Sequence, residues 1–94
     1  MKELQPFTTN VSKVLRQHVE RTLADYLEQY RDHIPGNLYE LVLNAIELPL
    51  LTLVLEKTQY NQSHAARMLG MNRATLSKKM RLYNLADETE TKNA

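Results

Sequence analysis

The sequence predicts an all-α fold: four helices per subunit, intertwined as a homodimer around a four-helix core, with a C-terminal helix-turn-helix. Three observations carry that prediction. Apolar residues recur at three- and four-residue steps from Leu15 to Tyr30. Thirteen of the eighteen residues from Leu38 to Leu55 are apolar. Asn61, Gly70 and Asn72 then follow in the order helix start, helix stop, helix start.

Residues 1–14 are polar and mixed, show no sustained period, and read as a flexible N-terminal arm. From Leu15 the apolar positions Leu15, Val19, Leu23, Tyr26, Leu27 and Tyr30 form one stripe of an amphipathic helix. Pro35 and the Gly36-Asn37 turn end it. The second helix, from Leu38 to about Thr58, is apolar on all sides, the pattern of a helix buried in protein or lipid. Glu40, Asn44, Glu47 and Pro49 interrupt the run, and each charge at bilayer depth costs about 2.5–3.5 kcal/mol. No membrane is therefore expected. A chain of 94 residues cannot surround such a helix alone. The first helix covers one side, and a second copy of the chain is the economical cover for the other. Pro49 removes one helical hydrogen bond, so a kink is expected there in preference to two separate helices. Residues 15–60 thus read as a dimerisation core.

Residues 61–83 read as the helix-turn-helix. Ala65, Ala66 and Leu69 give its first helix a short apolar face, and Leu76, Met80 and Tyr83 give the second an inward stripe. The opposite face collects Arg73, Ser77 and Arg81 at steps of four, with Ala74 and Lys78 alongside. Charge segregates the same way. Residues 1–56 hold five Lys/Arg and eight Asp/Glu, residues 57–83 six and none, and residues 84–94 one and three, so −3, +6 and −2 sum to the net +1. The near-neutral total conceals a local positive field. Residues 84–94 read as a polar acidic tail.

In a helix-turn-helix, the N-terminal residues of the second helix meet base edges in the major groove of double-stranded DNA. Arg73 suits bidentate pairing with guanine, worth about 1–3 kcal/mol of discrimination. Asn61, Ser63, Thr75 and Lys78 suit phosphate contacts, which position without reading sequence. Lys79 lies nearer the packed side, where a structural role competes with DNA contact. Catalysis is not indicated. There is no cysteine, no Gly-rich phosphate loop, and no metal-ligand spacing among His18, His33 and His64. Neither a cofactor nor a metal is expected, and Met68, Met71 and Met80 fit as core filler. The start of the chain lacks the apolar run of a secretory signal, so a cytoplasmic location is expected.

The stretch "LYELVLNAIELPLLTLVLEKTQYNQSHAARMLGMNRATLSKKMRLY" resembles the Fis family of bacterial nucleoid-associated DNA-bending proteins. It is less completely similar to the DNA-binding domains of NtrC-type activators. "LYELVL", "PLL", "GMNRATL" and "KKM" carry the resemblance, which covers roughly Leu15 to Tyr83. It implies a homodimer that binds and bends degenerate AT-rich DNA, acting in nucleoid organisation and transcriptional regulation. It places the DNA contacts on Asn61, Ser63, Asn72, Arg73, Thr75, Lys78 and Lys79. Ser63 stands where the family has Thr, His64 and Ser77 where it commonly has Arg, and Leu82 where it has Lys. Ser63 keeps the hydroxyl, whereas the departures at His64, Ser77 and Leu82 imply fewer phosphate contacts and a shallower salt dependence. The arm at residues 1–14 is shorter than in members that stimulate DNA invertases, which argues against recombinase stimulation. Two other readings stay open: a detached DNA-binding domain of an NtrC-type activator, and a helical adaptor that dimerises through Leu38–Leu55 and binds acidic protein surfaces instead of DNA.

Overall fold

The computed structural model describes residues 9–85. They form four helices and, among the described residues, no strand: α1 (Thr9–Gln29), α2 (Leu38–Lys57), α3 (Gln62–Leu69) and α4 (Arg73–Tyr83). The chain divides between Leu38 and Tyr39 into two units, the first holding α1 and the second α2 to α4.

The first helix starts at Thr9, earlier than the Leu15 start expected from periodicity. Part of the stretch read as an arm is therefore helical, while residues 1–8 lie outside the described region. The local reason is visible in the side chains. Ser12 Oγ accepts a hydrogen bond from Arg16 Nη1 at 2.6 Å, one turn along, so polar residues brace the first turns without an apolar period. Tyr26 and Tyr30 stack obliquely near the other end, with ring centroids 5.3 Å apart. No described side chain of α1 is buried.

In the second unit, α2 runs through Pro49 unbroken, so the proline is accommodated within one helix. It is also the one helix among the described residues long and apolar enough to cross a membrane. Its packing points elsewhere. Leu51 and Leu55 are fully buried together with Ala65 and Ala66 of α3 and Leu76 and Met80 of α4. A helix packed this way cannot enter a bilayer without drawing the cationic α4 after it.

The joint between α2 and α3 is tightly specified. Thr58 is buried and its hydroxyl is shared between the carbonyls of Val54 at 3.0 Å and Leu55 at 3.3 Å. Gln59 and Tyr60 follow with φ of 54° and 61°, two successive left-handed residues that carry side chains. Such residues cost on the order of 1–3 kcal/mol each and persist only where their surroundings hold them. Here Tyr60 N–H donates to Leu55 O at 2.7 Å, and the Tyr60 ring packs against the core.

Both expected helix starts are present. Asn61 Oδ1 accepts from His64 N–H at 3.0 Å, and Asn72 Oδ1 accepts from Thr75 N–H at 2.8 Å. Gly70 adopts φ 76°, and the following Met71 N–H returns to Ala66 O at 3.0 Å, closing α3. Asn84 (φ 59°) closes α4 in the same manner, with Leu85 N–H on Met80 O at 2.8 Å. Leu85 then packs against the core. The tail beyond it, residues 86–94, lies outside the described region.

Candidate nucleic-acid interface

The geometry of α4 defines the candidate surface. Leu76 and Met80 point into the core, leaving Arg73, Ala74, Lys78, Arg81 and Leu82 exposed. At the N-terminal end, Asn72 is exposed beside Arg73, and Thr75 is half-buried. Asn61, Ser63, His64 and Arg67 are exposed on α3 and its cap. Since α3 and α4 pack on each other, these groups belong to one helical hairpin. The capping bonds use the carboxamide oxygens of Asn61 and Asn72, so it is their N–H₂ groups that are left to donate to an acceptor outside the protein.

The two flanks of α4 are engaged differently. On one, Ser77 Oγ donates to Gln62 Oε1 of α3 at 3.0 Å. Ser77 was expected on the outer face with Arg73 and Arg81. At about 100° per residue, however, Ser77 lies only about 60° round the helix from buried Met80, at the edge of the packed side and not in the middle of the outer face. Its role is therefore to join the two helices of the hairpin. The flank facing α2 carries Lys79 and Tyr83. Lys79 Nζ lies 2.8 Å from Glu47 Oε2, and Tyr83 Oη donates to Glu47 Oε1 at 2.6 Å. Asn44 Oδ1 lies 2.9 Å from the same phenol oxygen. A phenol has one proton and the carboxylate is the stronger acceptor, so Asn44 completes the set by turning its carboxamide and donating N–H. The hydrogen bond from Lys79, and after it that from Tyr83, holds the Glu47 carboxyl below its ordinary 4.5, against the opposing effect of burial. The bond to Glu47, and then burial, pushes the Tyr83 phenol up to about 12.

Of the seven residues expected to contact DNA, Asn61, Ser63, Asn72, Arg73 and Lys78 are exposed and Thr75 is half-buried. Lys79 stands apart, its ammonium held by Glu47. In the sequence Asn44 and Glu47 stand out only as interruptions of an apolar helix, not as partners of α4. Their partners lie more than thirty residues away, where no local period connects them. Among the described residues, no group of three or more His, Cys, Asp or Glu is placed to hold a metal ion.

Residues 42–83 match the family model described as "Bacterial regulatory protein, Fis family". A protein named DNA-binding protein Fis from Mannheimia haemolytica is 48% identical over 75 residues, covering 80% of this chain and 76% of the relative. The protein of the same name from Haemophilus ducreyi gives the same identity and coverage. That from Haemophilus influenzae (strain PittEE) is 45% identical over 74 residues, covering 79% and 75%. The chain belongs to the Fis family. It is thus an all-α helix-turn-helix protein and not an enzyme. The matched span opens early in α2 and closes on the last residue of α4. It therefore takes in Glu47, the left-handed joint, both asparagine caps and the exposed face of α4.

Proposed function

We propose that this chain is a homodimeric DNA-binding and DNA-bending protein that recognises degenerate AT-rich sites. It acts in nucleoid organisation and transcriptional regulation in the bacterial cytoplasm. The observation that carries the reading is the exposed N-terminal end of α4, where Arg73 directly follows the Asn72 cap on a helix braced along both flanks. Arg73 reads guanine at the edges of the site. Asn61, Ser63, Asn72, Thr75 and Lys78 hold phosphates and set the register. Within an AT-rich site the bases between those edges contribute through the cost of deforming them. The homodimer reading is supported by the apolar side chains of α2 that the second unit leaves uncovered, among them Leu43, Leu50 and Leu53.

The test is binding of the wild type and Arg73→Ala to a short AT-rich duplex with guanines at its pseudo-symmetric ends, over a salt series. Wild type is expected to bind in the nanomolar-to-micromolar range and to weaken as salt rises. Arg73→Ala is expected to lose about 1–3 kcal/mol of preference for the terminal guanines. No salt-sensitive binding by wild type would favour the protein-adaptor reading. An undiminished guanine preference in the variant would remove Arg73 from its assigned role and leave DNA binding standing.

A further inference from the structure

We infer that Glu47 withholds Lys79 from DNA, so that each subunit presents one phosphate-binding cation fewer than its sequence offers. This rests on the DNA-binding reading above. Lys78 and Lys79 are neighbours in α4, yet a step of about 100° separates their directions. Lys78 is exposed. Lys79 points to α2, where its ammonium meets Glu47 Oε2 at 2.8 Å.

Three features make this pair more than an incidental surface contact. The side chains are 32% and 25% exposed, so solvent and salt screen them less than a fully exposed pair. The second carboxylate oxygen accepts from Tyr83 at 2.6 Å, which prevents Glu47 from swinging outward with the lysine. Finally, Glu47 stands one turn before fully buried Leu51, so its backbone is anchored in the core of the unit. Among the described residues, Glu47 is the acid that pairs with a cation of the basic stretch 57–83. Lys79 therefore acts as a positioning residue, tying α4 to α2, while Glu47 tunes how strongly the protein holds any DNA regardless of sequence.

The experiment measures the salt dependence of binding to a nonspecific duplex for four proteins: wild type, Glu47→Gln, Lys79→Ala and the double variant. The amide of Glu47→Gln still accepts from Tyr83 but no longer holds a cation. Each phosphate newly neutralised steepens the log–log salt slope by about 0.9, or about 1.8 for a dimer, an extra loss of about 12-fold between roughly 50 and 200 mM salt. Glu47→Gln is expected to show that steeper slope, with tighter binding at low salt. The gain should disappear in the double variant, while Lys79→Ala alone leaves the wild-type slope close to unchanged. Equal slopes for wild type and Glu47→Gln would overturn the inference. So would a gain that survives removal of Lys79, because a general charge effect would then explain it. Absence of binding by all four proteins would instead overturn the DNA-binding reading on which it stands. If thermal unfolding shows Glu47→Gln to be poorly folded, Glu47→Met serves as the second variant, with the same expected slope.

Discussion

From Leu51 onward, the side of α2 turned to the hairpin is covered by α3 and α4: Leu51 and Leu55 lose all exposure, while Leu53 on the other side stays 64% exposed. Before Pro49 the same helix carries Leu41, Leu43 and Ile46, each more than a third exposed. The residue types are alike, so the difference lies in what covers them. One half of α2 completes its core on its hairpin side within the second unit, whereas the other half presents apolar side chains that this unit leaves in water. A single sequence pattern, apolar all round, thus serves two purposes on one helix, and within the second unit only the side next to the hairpin is finished.

The largest expected effect tests the unfinished half. In a symmetric dimer Leu43→Asp is felt twice, and each lost leucine burial removes about 1.5–3 kcal/mol before the cost of burying a carboxylate. Sedimentation should show the variant dissociating at concentrations where wild type remains dimeric; an intact dimer would mean that this half is not the subunit interface. Next comes the finished half. Leu76→Ala should lower unfolding stability by about 2–5 kcal/mol in urea titration, since its side chain is fully buried against α2 and α3. A loss well under that would show that the hairpin core collapses around the gap.

Smaller effects sharpen the same contrast at the edges of the hairpin. Asn72→Ala removes the acceptor of the Thr75 N–H and should cost about 1 kcal/mol in thermal or urea unfolding. Smallest is a pH effect confined to the α2–α4 flank. The Tyr83 phenol is raised from 10 to about 12, so its contribution to stability is complete below pH 10 and is lost as pH rises from 10 toward 12. Glu47 is shifted the other way, and its contribution is present above pH 4.5 and lost as pH falls below that value. Melting temperatures of wild type and Tyr83→Phe across pH 9–12 should therefore converge at the alkaline end. A constant difference between them would show that the Tyr83–Glu47 bond does not stabilise the fold.

Much of this was legible in the sequence because the signals are local. Asn61 and Asn72 were read as caps, and each accepts the backbone N–H expected of it. Gly70 was read as a helix stop and has the left-handed backbone that the role requires. The all-round apolar pattern of Leu38–Leu55 foretold a helix in need of cover. What escaped depends on rotation or on distance. The start of α1 was placed late because its first turns are braced by Ser12 and Arg16, a polar pair with no place in an apolar period. Ser77 was grouped with the outer face although it lies only about 60° round the helix from buried Met80, where it meets Gln62 of α3. Tyr83 was read for its ring alone, and its hydroxyl proved to be the group that reaches Glu47. No spacing rule connects those two positions, since the α2–α3 joint decides whether they meet.

That joint also bears on how the hairpin meets a ligand. Gln59 and Tyr60, both left-handed, leave the two-residue hinge little rotational freedom, and the core, the Glu47–Lys79 pair and the Tyr83 hydroxyl fix it further. A hairpin on a loose tether would have to be ordered at every encounter with DNA, with a corresponding loss of affinity. Here the orientation of α4 relative to α2 is preorganised during folding. Binding can then draw on contacts to the duplex without an accompanying disorder-to-order transition in the hairpin.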